Sequence, residues 1–284
     1  MILQVTLTVS EAKRIIVLAA LALPEMQNAL EGGKVLLKGG TTVSLLSEKI
    51  TGQKLGICGR ISPRGTKGPL SMVLEHPHSV LIERGKVIDV DDTFEDAMLS
   101  LGKEDVFIVG ANAIDIKGNA AMMAGSPLGG EPGRVMGAFG AEGVNVLILA
   151  GLEKLIPGTI DEAARACGRK KIDLSFGMAV GLIPIPGKLI TEKKAVEVLA
   201  DVQATVIGKG GVCGAEGSTT IVLEGDKEAL RSIYETITEI KRIDKAAGVE
   251  VFDECKPGNE WCEEDLGCIY GKGTISLLGG SSNV

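Results

Sequence analysis

Several short stretches of this 284-residue chain combine side chains that can hold an anion or move a proton. The first is Lys38-Gly39-Gly40-Thr41-Thr42, between an apolar strand-like run and an apolar periodic segment. Amides at a helix start lack intrahelical partners and sit at the positive end of the dipole, so an anion is favoured there. Gly39 and Gly40 let backbone approach a ligand closely, and Thr41 and Thr42 add hydroxyl donors. The stretch has neither G-x-x-x-x-G-K-[ST] nor G-x-G-x-x-G, which argues against a P-loop and a dinucleotide fingerprint. The bland alternative is a tight turn with threonine caps.

The second is Val109-Gly110-Ala111-Asn112-Ala113-Ile114-Asp115, at the carboxyl end of a strand, the edge where open α/β sheets bind ligands. Gly110, Ala111 and Asn112 are candidates for ligand binding, and Asp115 for a base. Alternatively, Asn112 and Asp115 satisfy their own turn. Glu131, in the glycine-rich loop 125–133, is a candidate general acid/base or nucleophile, against a solvated loop charge. Lys154, after an apolar strand, can meet a phosphate as a point charge. Arg60, Arg64 and Lys67 form a basic loop able to cover an anion. Glu75-His76-Pro77-His78 contains the only histidines, and no third metal ligand is evident beside them. Cys255, Cys262 and Cys268 follow C-x6-C-x5-C, which is not a standard zinc spacing, so ordinary thiols are expected.

The elements around these residues alternate. Strands are expected at Leu3–Val9, Lys34–Leu37, Leu55–Cys58, Ser79–Ile82, Lys86–Val90, Asp105–Val109 and Val144–Ala150. Ser10 is a candidate N-cap for a helix running to about Leu30, divided by Pro24. Thr41 opens a helix that Gly52 stops. Asp92-Thr93-Phe94-Glu95 and Thr159-Ile160-Asp161-Glu162 read as capping boxes. Short buried strands alternating with helices imply a mainly parallel sheet. Strand at Leu174–Ile185, helix at Thr191–Val202, strands at Ala204–Ile207 and Thr219–Leu223, helix at Asp226–Arg242 and strand at Val249–Phe252 make a βαββαβ, ferredoxin-like order. The expected organisation is a Rossmann-like domain over 1–171, a ferredoxin-like domain over 172–253, and a loop-rich tail over 254–284 that returns to the first.

Composition narrows the function classes. A net charge of −7 gives no global attraction for nucleic acid or anionic membrane. Aromatics are 3%, too few for base-stacking platforms. The longest apolar runs fall far short of the ~18 residues a membrane helix needs. Lys13-Arg14 before Ile15–Leu23 has the charge pattern of a signal peptide, but strand-like residues precede it and no clean cleavage region follows. A cytoplasmic location is expected.

Together, three segments resemble the superfamily containing ribose-5-phosphate isomerase, glucosamine-6-phosphate deaminase, the CoA transferases and sugar-phosphate-responsive repressor effector domains (NagB/RpiA/CoA transferase-like). Gly33–Thr42 looks like its glycine/threonine phosphate loop. Val106–Asp115 with Gly118-Asn119 looks like its "GADE(V/I)D…GN" strand and loop. Val146–Leu155 looks like its later strand ending in a lysine, Lys154. The resemblance implies the fold and an anion-holding edge. It departs from the isomerase pattern at Val109, Asn112 and Met122, where aspartate, aspartate and lysine belong; only Glu131 could match the pattern's glutamate. Pentose-phosphate isomerase activity is therefore not implied.

The expected protein is α/β and binds a small phosphorylated or carboxylated metabolite at the sheet's carboxyl edge, with isomerase- or transferase-like chemistry if catalytic. Gly39, Gly40, Thr41, Thr42, Arg60 and Lys154 would hold the anion. Gly110, Ala111, Asn112 and Asp115 would orient the polar body, and Glu131 would act as acid/base. No cofactor and no metal are expected; a homo-oligomer is. The alternatives are a non-catalytic metabolite sensor or structural protein, and a thiol- or metal-dependent protein using the last three cysteines.

Overall fold

The structure, a computed structural model, describes residues 1–68 and 75–243. The expected strand at Val249–Phe252, the tail 254–284 and Cys255, Cys262 and Cys268 lie outside these residues.

The chain is α/β. It opens with β1 (Ile2–Leu7), α1 (Val9–Ala22), α2 (Pro24–Gly32), β2 (Lys34–Lys38) and α3 (Thr41–Thr51). Thr8, rather than Ser10, caps α1, and with Glu11 it forms a reciprocal capping box. Pro24 fits at the first position of α2, where its missing N–H costs nothing. Next come β3 (Arg60–Ser62), β4 (Gly65–Lys67), β5 (Ser79–Glu83), β6 (Lys86–Asp89), α4 (Phe94–Leu99), β7 (Val106–Val109), β8 (Ala113–Ile114) and β9 (Ala120–Ala124). Thr93 caps α4 without a side-chain bond, so only the second of the two expected boxes forms, at Thr159 and Glu162.

Then follow α5 (Gly130–Arg134), α6 (Met136–Ala141), β10 (Asn145–Leu149), α7 (Ile160–Ala166), β11 (Gly181–Ile185), β12 (Lys188–Ile190), α8 (Glu192–Leu199), β13 (Val202–Gly210), β14 (Ser218–Gly225) and α9 (Lys227–Ile243).

A six-stranded sheet, ordered β12-β10-β7-β2-β5-β6, organises the fold. β12, β10, β7 and β2 are parallel, while β5 returns antiparallel to β2. Its inner strands β10, β7, β2 and β5 are apolar on both sides, as a sheet covered on both faces requires. Val35, Leu37, Ile108 and Leu149 face a core built with α1, α3 and α8. Leu36, Phe107 and Ile148 face the other, built with Phe94 of α4 and Phe139 of α6. Phe107 stacks on Phe139 at 5.4 Å and meets Phe94 edge-on at 6.0 Å. Each such pair adds about 0.5–1.5 kcal/mol beyond area burial.

The strands after residue 172 are shared among sheets. β12 extends the main sheet beside β10, β11 pairs with β9, and β14 lies between β13 and β1. The register Ile2↔Glu224 to Leu7↔Thr219 joins the first strand to one more than 200 residues later, so a boundary at 171 does not separate the sheets. Which strand pairs with which is a long-range outcome that local alternation does not encode. No helix among the described residues is long and apolar enough to cross a membrane.

Candidate functional site

β2 and β7 leave the sheet side by side. Their register pairs Val35 with Val106 and Leu37 with Ile108, so Lys38–Thr41 and Val109–Asn112 emerge at one edge. β2 continues into α3 on one face, and β7 leads through β8 and β9 to α5 and α6 on the other. Such a reversal opens a crevice at the carboxyl ends of the strands.

Gly39 is pinned there, its N–H donating to the His78 carbonyl at 2.6 Å. A Cβ on Gly39 would lie 2.5 Å from His78 Nδ1, 2.7 Å from the His78 carbonyl oxygen and closer still to the Gly56 carbonyl, so only glycine fits. Gly40 caps α3 without a side-chain bond, and the amides of Thr41 and Thr42 make no hydrogen bond among the described residues. They are the donors a helix start offers to an anion. A shallow depression of about 510 Å³, lined in part by Arg14, Thr41, Ser44 and Lys54, flanks this start and does not include Lys38 or Glu131.

Lys38 closes β2 on the α4 face, only 9% exposed. Its Nζ lies 5.0 Å from the centroid of the Phe94 ring. No acidic group among the described residues is within ion-pairing distance, and Nζ makes no hydrogen bond among them. A ring face offers ~0.5–2 kcal/mol, far less than the several kcal/mol that burying an ammonium costs. Burial pushes Lys38 below the usual lysine range, against the attraction of Glu131, Cys58 and Asp91.

Three segments gather around this ammonium. The first is 55–58, expected as a strand. It has no strand partner and instead runs as an extended strap: the Leu55 N–H donates to Ser44 Oγ at 3.0 Å and the Gly56 N–H to the Pro77 carbonyl at 2.9 Å. It carries Cys58, whose thiol burial pushes up, with Lys38 opposing and Asp91 and Glu131 adding. The second is the start of β5. The Asp91 carboxylate accepts the His78 N–H at 2.8 Å and the Ser79 N–H at 2.6 Å. His78 is lowered to about 4 by burial and then by Lys38, against the Gly56 carbonyl and Asp91. It is therefore neutral near pH 7. Its Nδ1–H donates to the Gly56 carbonyl at 2.8 Å, which leaves Nε2 with a free lone pair. Ser79, opposite Lys38 in the β2–β5 register and so on the same face, is fully buried, and its Oγ has no partner.

The third is α5 with Glu131. A Cβ on Gly133 would overlap the Leu128 carbonyl, so the loop is folded tightly on itself. Arg134 is held by an ion pair with Glu95 of α4. Glu131 is half-buried, and its carboxyl makes no hydrogen bond among the described residues. Burial raises it above the usual carboxylate range; Lys38 opposes, Asp91 raises it further, Arg134 opposes and Glu95 raises. Lys38 and Glu131 thus sense each other across a gap wider than an ion pair. One group is shifted down and the other up, the pattern of an acid/base pair.

The remaining sequence-predicted residues lie elsewhere or are engaged. Asp115 is 4% exposed, and four donors fill its carboxylate: the amides of Lys117, Asn119 and Ile160 and the Asn119 side chain, at 2.9–3.1 Å. Burial works to raise it, but these bonds prevail and lower it. A saturated, weakly basic carboxylate anchors its turn, which is the alternative reading of Asp115 given above. Asn112 Oδ1 accepts the Met123 N–H at 2.9 Å, Ala111 is buried and Gly110 half-buried.

Lys154 lies in a 3₁₀ turn after β10, two strands from β2. With Glu153 it acts on Lys13, which is lowered by burial first, raised by Glu153 and lowered by Lys154. Arg60 sits on the β3–β4 hairpin, its Nη1 at 3.5 Å from the Gly68 carbonyl. No group of three or more His, Cys, Asp or Glu among the described residues could hold a metal ion.

Comparison with family models, curated proteins and solved structures finds no match to this chain. Its function is therefore argued from the site. Sequence reasoning put Glu131 and Gly39–Thr42 forward as candidates, gave no separate role to Lys38, Cys58 or Asp91, and weighed His78 only as a metal ligand. One signal was available: Lys38 continues the face of Leu36 at the end of an otherwise apolar strand.

Proposed function

We propose that the crevice between the ends of β2 and β7 binds a small phosphorylated or carboxylated metabolite, and that Lys38 and Glu131 move a proton on it. The observation that carries this is a buried Lys38 ammonium at the strand reversal, without an ion-pair or hydrogen-bond partner among the described residues, with the Glu131 carboxyl, unbonded among those same residues, across the gap. The anion docks on the amides of Thr41 and Thr42, which make no hydrogen bond among the described residues. Lys38 stabilises negative charge developing on a carbonyl oxygen, and Glu131 takes and returns the proton on the adjacent carbon. A carboxyl shifted toward neutral pH suits both directions of transfer. This is isomerase-like chemistry.

The test is hydrogen exchange. Dihydroxyacetone phosphate in heavy water exchanges its carbon-bound protons faster with the protein than without it. Glu131→Gln removes the acceleration while the ligand still raises Tm. Binding without exchange in the unaltered protein supports the rival reading, a metabolite sensor. The saturation of Asp115 favours that rival, since it leaves the edge one base short.

A further inference from the structure

We propose that Lys38 is a nucleophile that joins its ligand covalently as an imine. The inference rests on the binding reading above and deepens it by fixing the substrate class: an aldehyde or ketone that also carries a phosphate or carboxylate.

Three observations support it. First, among the described residues Lys38 lacks what a structural buried lysine has, an acceptor. Its Nζ faces the Phe94 ring at 5.0 Å and no oxygen among the described residues. A dry ammonium without a counter-ion gives up its proton readily, and the neutral amine is the reactive form.

Second, the groups that must accompany such a step surround it with capacity to spare. Among the described residues, the Glu131 carboxyl, the His78 Nε2 lone pair and the Ser79 Oγ hydroxyl, buried on the same face, have no hydrogen-bond partner. A buried unpaired hydroxyl beside a buried unpaired amine is a costly arrangement that a bound oxygen would relieve.

Third, the backbone that carries the amine is held in place. Lys38 pairs with Ser79 of β5 and follows Leu37, which pairs with Ile108 of β7, so its backbone is clamped from both sides.

The chemistry balances without a further reagent. The Lys38 lone pair attacks the carbonyl carbon, and the π pair moves to oxygen. A proton passes from nitrogen to that oxygen, relayed by His78 Nε2 or Glu131, giving a carbinolamine. Glu131 then donates its proton, the hydroxyl departs as water, and nitrogen closes the C=N⁺ bond. Glu131, now a carboxylate, removes a proton from the adjacent carbon to give the enamine. Ser79 Oγ donates a hydrogen bond to the carbinolamine oxygen.

The experiment is borohydride trapping on the full chain. The protein is incubated near pH 7.5 with dihydroxyacetone phosphate or with pyruvate, reduced with sodium borohydride, digested and mapped by mass spectrometry. Tm is recorded in parallel with each probe and with glycerol 3-phosphate, which has the anion but no carbonyl. The expected result is a reduced adduct on Lys38 at least tenfold above that on exposed Lys103. Glycerol 3-phosphate raises Tm without an adduct, and Lys38→Arg abolishes the Lys38 label. A Tm rise without a Lys38 adduct overturns the imine and leaves the binding reading standing. Labelling spread evenly over surface lysines overturns the imine as well. No Tm rise and no adduct with any probe overturns both.

Discussion

Lys38→Met offers a severe test, because it should strengthen the fold while destroying the site. Methionine keeps the unbranched stem and replaces the ammonium with a thioether that packs on Phe94, a sulfur–aromatic contact worth ~0.3–1.5 kcal/mol. Replacing even a buried ion pair with apolar groups of similar volume is often neutral or stabilising by about 1–4 kcal/mol, and an ammonium without a counter-ion has no pair energy to lose. A gain within that range is expected near pH 7. The pH dependence sharpens the test. Lys38 is lowered from 10.5 in the folded chain, so between its folded value and 10.5 the unfolded chain holds more protons. Stability of the parent protein therefore rises with pH through that window, by up to ~1.4 kcal/mol per pH unit. The variant lacks this slope. Its advantage is largest and constant at low pH and shrinks as pH rises. Urea unfolding of both proteins from about pH 6 to pH 10 reads the difference directly. Parallel curves, or a variant less stable by ~1 kcal/mol or more, would refute the argument that Lys38 is a buried charge without a partner.

Other predictions follow from the same geometry. Gly39→Ala forces a methyl into the His78 ring and the Gly56 carbonyl, so it should cost roughly 2–4 kcal/mol in urea unfolding, as overpacking plus a lost hydrogen bond, and weaken phosphate-induced rises in Tm. His78 should titrate in its NMR ring resonances with a midpoint of about 4. Because that lies below the unfolded value of 6.5, its contribution is complete above pH 6.5 and is lost as pH falls toward 4, by roughly 3 kcal/mol at most; a midpoint above 6 contradicts the burial argument. Asp115→Asn places an N–H₂ among four N–H donors and should destabilise by about 2–4 kcal/mol without changing the proton-transfer chemistry. In the parent, that carboxylate's contribution is present above its unfolded value and lost as pH falls through the lower folded one, so Asp115→Asn should lose its cost only in strong acid.

The sequence displayed what is local. The Gly-Gly-Thr-Thr passage into α3, the Gly52 stop, the Pro24 division and the Thr159–Glu162 box depend on neighbours a few residues apart, and the structure has them. What it concealed is long-range. His78 and Cys58 reach Lys38 because β5 folds back antiparallel along β2 and a strap without strand pairing crosses the edge. Neither feature has a local pattern. Asp115 was misleading for the opposite reason: an aspartate four residues before Asn119 saturates itself within its own turn, and Ile160, 45 residues on, supplies the last donor. The pairing of β1 with β14, more than 200 residues apart, likewise leaves no local pattern.

The central claim is that an anionic metabolite sits where β2 and β7 part. Backbone amide NMR during titration with dihydroxyacetone phosphate addresses it most directly. Saturable shifts that are largest at Gly40, Thr41 and Thr42, with Gly110 to Asn112 next, are the predicted result. Shifts centred on Lys13 and Lys154, or none at any concentration of the phosphate, would contradict it.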